Sequence, residues 1–160
     1  MLEIKVITLF PDFFKHSVDY SVLHKALDRN IFNYEVIDLR DFGLGSRRAV
    51  DDTAYGGGAG MVIMPEPIFK AINEASSQFI DKDSICRILL SPSGKIYNQN
   101  TAKKLTGFNS LIIFCGHYEG FDARVKDLFD IEISLGSFVM TGGEVAALAI
   151  IDSVVRLLRG

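Results

Sequence analysis

The chain has 160 residues, of which 48% are hydrophobic and 23% are charged, and its formal net charge is −3. These values fit one globular domain with its own hydrophobic core and exclude a disordered chain. No apolar run approaches the roughly 18 residues of a membrane span, and residues 1–12 lack the pattern of a signal peptide, so we expect a cytoplasmic protein. The acidic balance argues against general affinity for nucleic acid, so contact with RNA would require a local patch or parts beyond these residues.

The first half of the chain alternates between short β-rich apolar runs and helical periodicity, which predicts an α/β fold with a mostly parallel sheet and flanking helices. The pattern predicts strands over residues 3–9 and 32–39 and helices over residues 11–30 and 65–79. Ser21 is a candidate N-cap for the second part of the first helix. Residues 40–64 read as one long, Gly-rich, charged loop, a length that compact domains rarely carry without a function.

The second half is more regular. Strands are predicted over residues 85–90, 111–115 and 131–135, with helices from about Asn98, over 122–129 and from Gly142 through 158. Residues 145–151 are apolar on every face of the last helix, which is typical of a helix that is buried all round. In a domain of this size such a helix is either central or part of a subunit interface, and we expect a homodimer.

Each of these three strands ends in a loop that contains glycine: residues 91–94, 116–120 and 136. Ligands of open parallel sheets bind beyond the carboxyl ends of the strands, where glycine lets the backbone approach closely. Three successive loops of this kind indicate a nucleotide-like ligand. The dinucleotide fingerprint is missing after the first strand, and the glycines of residues 56–60 lack the Lys-Ser/Thr of a P-loop. Those glycines fit a phosphate cradle or a flexible hinge equally well.

Metal-binding patterns are missing from the sequence. Cys86 and Cys115 lie far apart, and neither has a ligand partner at metal spacing. The histidines form no paired motif either. We expect no metal site and two reduced thiols in or beside buried strands.

Polar side chains are frequent near the predicted loops. Glu119, Asp122 and Arg124 belong to the second glycine loop or follow it closely. Most surface carboxylates and arginines are merely solvated, so each is only a candidate functional group. Asp152 and Arg156 stand four residues apart, so a simple helical ion pair is an alternative role for both.

Two segments resemble a known family. Residues 115–125, Cys-Gly-His-Tyr-Glu-Gly-Phe-Asp-Ala-Arg-Val, and 136–144, Gly-Ser-Phe-Val-Met-Thr-Gly-Gly-Glu, are similar to signature segments of the TrmD family of bacterial tRNA (guanine-N1)-methyltransferases. Further similar segments follow in the expected order: 9–11, 50–52, 55–61, 90–92 and 151–154. The resemblance covers essentially the whole chain.

The resemblance implies a SPOUT-type fold with a deep trefoil knot in its C-terminal half. It also implies a homodimer with each active site at the subunit interface. The expected reaction transfers a methyl group from S-adenosylmethionine to N1 of guanosine at position 37 of tRNA, with magnesium as a helper.

Residues of this chain that match functional positions of the family are expected to have the same roles. Glu119 and Arg156 match catalytic positions at the guanine, where Arg156 would stabilise the negative charge that deprotonation of N1 places on O6. The cofactor pocket would use Leu90, Ser91, Pro92, Gly116, Tyr118, Ser134, Leu135, Gly136, Phe138, Met140, Gly142, Gly143 and Ala146. The segment facing the RNA would be Asp52, Tyr55, Gly56, Gly57 and Gly58.

The chain also departs from the family pattern. Family members continue into a C-terminal helical domain that grips tRNA and carries the aspartate regarded as the base. We therefore expect residues 1–160 to be the S-adenosylmethionine-binding domain only, inactive by itself. His117 stands where arginine is usual and Ser137 where aspartate is usual, and alanine replaces proline at positions 54, 59 and 146. The alternative functions are another SPOUT RNA methyltransferase, a binding-only nucleotide module and a purely structural domain.

Overall fold

A five-stranded sheet forms the centre of the protein. The computed structural model describes residues 1–54, 56–117 and 120–160. The strands of this sheet are β1 (Leu2–Thr8), β2 (Phe32–Asp38), β5 (Ile85–Ile96), β6 (Ser110–Cys115) and β7 (Ile131–Ser134). Their order is β2-β1-β6-β5-β7, and all neighbours run parallel. The predicted α/β class with a mostly parallel sheet is confirmed, whereas the knot stays a prediction.

Helices cover both faces of the sheet. They are α1 (Ser21–Asp28), α2 (Pro65–Ser77), α3 (Gln99–Leu105) and α4 (Glu144–Val155). Alternate residues of a strand point to opposite faces. In β6, Ile113 accordingly joins the core beneath α1, α3 and α4, and Phe114 joins the core beneath α2. The three-layer arrangement leaves the carboxyl ends of the strands open at one edge.

The predicted first helix is not continuous. A short 3-10 helix spans Pro11–Phe14, and α1 begins only at Ser21. Ser21 is not the N-cap: that position belongs to Tyr20, and Ser21 has a φ of +53°, outside the region of a right-handed helix. The prediction failed because the buried Phe14 and Val18 keep the chain on the core without helical geometry.

Residues 40–64 are not one unstructured loop. They contain an antiparallel pair, β3 (Asp51–Thr53) with β4 (Met61–Ile63), and part of a 3-10 helix at Leu39–Phe42. The amide of Ile63 also donates a hydrogen bond to the carbonyl of Gly120 at 3.1 Å, an ordinary distance. Three-residue strands are too short to show periodicity, so sequence patterns missed them.

The loop predicted at residues 91–94 is part of β5. This strand continues to Ile96, and its register with β7 shifts between Leu90 and Lys95. Such an irregularity bends a strand and leaves residues unpaired. At Gly94 a side chain has no room, because an added Cβ would lie 2.5 Å from the backbone carbon of Ile133.

The remaining elements agree with the predictions within a few residues. Asn98 caps α3, accepting a hydrogen bond from the amide of Thr101 at 3.0 Å. The element predicted over residues 122–129 is a 3-10 helix, Ala123–Leu128, capped by the carboxylate of Asp122. The last helix ends at Val155, three residues before the predicted end, with a turn following.

Candidate functional site

A cavity of about 400 Å³ lies between the irregular part of β5, at residues 90–93, and the segments that follow β6 and β7. These parts meet at one edge because β5 lies between β6 and β7 in the sheet. Apolar side chains form much of the wall, with small residues and backbone between them. A cavity of this size and lining is typical of a small-molecule site.

Most residues predicted for the cofactor surround this cavity. They are Leu90, Ser91, Pro92, Gly116, Ser134, Leu135, Phe138, Met140, Gly142, Gly143 and Ala146. Gly136 is not among the lining residues; an added Cβ there would lie 2.6 Å from the ring of Phe138. Tyr118 lies outside the described residues. Binding of a cofactor by these residues stays a prediction.

The cavity also has lining residues that were not among those predicted to bind the cofactor: Ser93, His117, Gly120, Phe121, Lys126, Ile133, Val139 and Thr141. Most are neighbours of predicted residues, and that adjacency was the available signal. Lys126 carried no such signal. It lies in the 3-10 helix Ala123–Leu128, and only the tertiary structure places this helix beside the cavity.

Two glycines at the cavity are required by close backbone packing. An added Cβ at Gly116 would lie 2.8 Å from the carbonyl oxygen of Leu90. At Gly143 it would lie 2.8 Å from the Cα of Cys115, and the Gly143 amide donates to the Gly116 carbonyl at 3.0 Å. Leu90 of β5, the loop after β6 and the residue before α4 therefore touch backbone to backbone.

Glu132 organises the wall that β5 provides. Its carboxylate accepts hydrogen bonds from the hydroxyls of Ser91 at 2.6 Å and Ser93 at 2.9 Å, and lies 3.3 Å from Nζ of Lys126. Burial alone would raise the pKa of Glu132, but these donors outweigh it and lower the pKa below its ordinary value. The carboxylate is therefore ionised at neutral pH and fixes both serines.

A second buried carboxylate joins three elements. Glu144, the first residue of α4, accepts from the hydroxyl of Thr8 at 2.6 Å and lies 2.6 Å from Nε2 of His117. Only 6% of Glu144 is exposed. Burial would raise its pKa, but the hydrogen bonds from His117 and Thr8 and the charge of His117 lower it. Since Glu144 is an ionised acceptor, Nε2 of His117 carries the donated hydrogen.

An open groove adjoins the cavity on the other side of His117. His117 lines both, together with Val139, Met140, Thr141 and Gly142. Apolar side chains exposed to solvent surround this groove: Phe10, Phe13, Val139 and Val145, of which Val139 is 80% exposed. We call these four residues the apolar patch. Val145 belongs to α4, so this helix is not buried on every face within one chain.

The structure does not bring Arg156 to the cavity. Ala146 of α4 lines the cavity, whereas Arg156 follows the other end of this helix, about 15 Å further along at 1.5 Å per residue. Arg156 is exposed. Glu119, the other predicted catalytic residue, lies outside the described residues.

Four of the predicted RNA-facing residues lie on the β3–β4 hairpin. Asp52 is exposed in β3, and Gly56, Gly57 and Gly58 are exposed at the tip. Gly56 and Gly57 have φ values of +88° and +75°, which favour glycine. Tyr55 lies outside the described residues. Contact with RNA stays a prediction.

Within the described ranges, no cluster of three or more His, Cys, Asp or Glu side chains could hold a metal ion. The cysteines agree with the prediction: both are buried, and neither forms a disulfide. Burial raises the pKa of Cys86 to about 12 and that of Cys115 well above its ordinary value, so neither is a reactive thiolate. No described helix is long and apolar enough to cross a membrane.

Comparison with known proteins identifies the family. The sequence model described as "tRNA (Guanine-1)-methyltransferase TrmD" matches residues 2–160. The chain belongs to the TrmD family. A tRNA (guanine-N(1)-)-methyltransferase of Dictyoglomus turgidum is 49% identical over 160 residues, covering 100% of this chain and 63% of that protein. One of Dehalococcoides mccartyi is 47% identical, covering 99% of this chain and 64% of that protein.

A solved structure supports the same family. The crystal structure of tRNA (m1G37) methyltransferase from Aquifex aeolicus superposes with a TM-score of 0.90 at 38% identity, covering 99% of this chain and 71% of that one. The chain therefore has the fold of TrmD-family proteins. It spans slightly less than two thirds of the length of the two curated relatives.

Proposed function

We propose that this chain is the S-adenosylmethionine-binding part of a tRNA (guanine-N1)-methyltransferase that methylates guanosine at position 37. Residues 1–160 would form the SPOUT domain, with tRNA gripped by a C-terminal helical domain. The observation that carries the proposal is the cavity beside β5, β6 and β7, lined by most of the residues that the family resemblance assigns to the cofactor. Family membership over residues 2–160 supports it.

The cavity suits S-adenosylmethionine chemically. Leu135, Phe138 and Met140 offer apolar surface for a purine ring. Close packing at Gly116 and Gly143 presents backbone rather than side chains to the ligand. Backbone N–H and C=O groups can read the edge of an adenine. When bound, the cofactor would supply an electrophilic methyl group, and the role of these residues is to fix its orientation.

The acceptor side needs a proton removed and a charge stabilised. Guanine N1 carries a proton and becomes a good nucleophile only after a base takes it, and we propose an aspartate of the C-terminal domain for that role. Glu119 is proposed to lie at the guanine. Arg156 would stabilise the charge on O6 through its guanidinium.

Arg156 can serve that role only in the site of another subunit. The length of α4 separates Arg156 from the cavity of its own chain, and an arginine side chain is shorter than the separation of about 15 Å from Ala146. A homodimer that places Arg156 of one chain at the cavity of its partner would resolve this separation. The apolar patch beside the cavity supports a dimer, since exposed apolar surface marks interaction sites.

The dimer can be tested at Val145, which is 54% exposed. In light scattering after gel filtration, the unmodified chain should show twice its mass of 17.7 kDa. Val145→Asp should give the single mass, because a buried unpaired carboxylate at the interface is costly. Ile80→Asp is the matched control, because Ile80 is 98% exposed and lies outside the patch. A monomeric unmodified chain, or a dimeric Val145→Asp variant, would contradict the proposal.

Calorimetric titration with S-adenosylmethionine tests the central proposal. We expect saturable binding at about one site per chain, with no comparable binding of adenosine triphosphate or NAD. Absence of binding to the folded chain would overturn the assignment of the cavity.

Two other functions remain in competition. Another SPOUT RNA methyltransferase would act on a different nucleotide, and a panel of tRNAs with and without guanosine at position 37 separates the two once the C-terminal domain is supplied. A binding-only nucleotide module would bind the cofactor and show no transfer in the same assay. A tRNA substrate favours a cytoplasmic location, and we propose magnesium as a helper of the reaction, testable by adding a chelator to that assay.

A further inference from the structure

Glu144 connects three parts of the fold that surround the cavity. Thr8 ends β1, His117 follows β6, and Glu144 starts α4. One carboxylate oxygen accepts from Thr8 and the other is hydrogen-bonded to His117, both at 2.6 Å. A buried carboxylate requires such donors, because an ion without them is strongly disfavoured away from water. The contact therefore holds the three segments in one arrangement.

Glu144 itself does not line the cavity. Its partner His117 does, and so do Gly142 and Gly143 immediately before Glu144. The backbone repeats the connection, since His117 and Gly142 form an isolated β-bridge and the Gly143 amide donates to Gly116. An added Cβ at Gly142 would meet both the His117 ring and the Glu144 carboxylate. The His117–Glu144 contact is thus a side-chain connection between two loops that also meet through their backbones.

We propose that Glu144 is a positioning residue for S-adenosylmethionine, acting through the N–H donor at position 117 to hold residues 116–117 and 142–143 at the separation that the cofactor requires. This inference rests on the proposed function. The placement of His117 matters further because two predicted site residues directly follow it in the sequence. Tyr118 is predicted to bind the cofactor and Glu119 to lie at the guanine. Histidine and the arginine expected there from the family pattern share one property, an N–H donor that can face a carboxylate.

Two amide substitutions separate the donor from the rest of the side chain. The Nε2 of glutamine in His117→Gln can occupy about the position of the histidine Nε2 and donate to Glu144. The shorter His117→Asn carries the same amide without that reach. We expect His117→Gln to bind S-adenosylmethionine within about threefold of the unmodified chain and His117→Asn to bind about tenfold more weakly.

Tyr97→Phe is the control for a loss of stability alone. It removes a hydrogen bond of the same length, 2.6 Å from the Tyr97 hydroxyl to Ser153 of α4, and neither residue lines the cavity. Calorimetry on the 160-residue chain gives the affinity, and thermal unfolding gives the stability of each variant. Tyr97→Phe should lose stability and keep its affinity, whereas His117→Asn should lose affinity.

A double-mutant cycle decides whether His117 acts through Glu144 or touches the ligand itself. If it acts through Glu144, adding His117→Asn to Glu144→Ala should weaken binding little further, because the contact is already gone. Fully additive losses would overturn the inference in favour of direct contact with the ligand. Equal affinity of His117→Asn and the unmodified chain would overturn it as well. No binding by the unmodified chain would instead overturn the proposed function, and the inference with it.

Discussion

Replacing Gly143 with alanine is expected to lower the melting temperature by about 5 °C and to weaken S-adenosylmethionine binding about tenfold. The added methyl group would lie 2.8 Å from the Cα of Cys115 and 3.1 Å from the amide nitrogen of Gly116. Both are backbone atoms, so the strain cannot be relieved by turning a side chain. Overpacking of this kind costs about 2 kcal/mol.

The effect should be steric only. Gly143 has φ −82° and ψ −4°, a combination with negative φ that residues other than glycine also adopt in turns, so no left-handed backbone conformation is involved. The residues just before α4 and the loop after β6 would move apart, and both line the cavity. Differential scanning calorimetry and titration with S-adenosylmethionine measure the two effects.

Gly58→Ala is the matched control for this substitution. Gly58 is exposed on the hairpin, and the nearest atom to an added Cβ, the Cβ of Ala54, lies at 3.9 Å. We expect the control to keep its affinity and to change the melting temperature by less than about 2 °C. A Gly143→Ala variant that binds as tightly as this control would show that close packing at Gly143 does not shape the site.

Replacing Glu144 with alanine is expected to destabilise the fold by about 3 kcal/mol, or about 8 °C in melting temperature. The change removes the acceptor that Glu144 provides to Thr8 and His117 and leaves a buried void. Glu74→Ala is the control, because Glu74 is exposed on α2. Its melting temperature should stay within about 2 °C of the unmodified chain. Equal stability of the two variants would contradict the role given to this carboxylate.

The contribution of Glu144 should depend on pH in one direction. Burial alone would raise the pKa of its carboxyl, but the hydrogen bonds from His117 and Thr8 bring the pKa below the ordinary value of 4.5. A lowered pKa stabilises the fold in full above 4.5, and this stabilisation is lost as the pH falls through the folded-state pKa. The stability difference between the unmodified chain and Glu144→Ala should therefore shrink in acid. Urea unfolding at a series of pH values measures it, and a constant difference would contradict the prediction.

The sequence by itself predicted the fold class, most of the elements and the family. Periodicity is a local property, so β1, β6 and α2 could be located from their own residues. The motifs at residues 115–125 and 136–144 led to the family that the comparisons confirm. The glycine loops predicted after three strands also pointed to the edge of the sheet where the cavity lies.

Only the tertiary structure decided which residues meet. The insertion of β5 between β6 and β7 brings residues 90–93 of β5 together with the segments after β6 and β7, and strand order is not encoded in any local pattern. The burial of Glu144 and its contact with His117 join residues 27 positions apart. The same structure separates Arg156 from the cavity along α4, which the family motif alone does not reveal. Periodicity describes neighbours along the chain, whereas a site depends on neighbours in space.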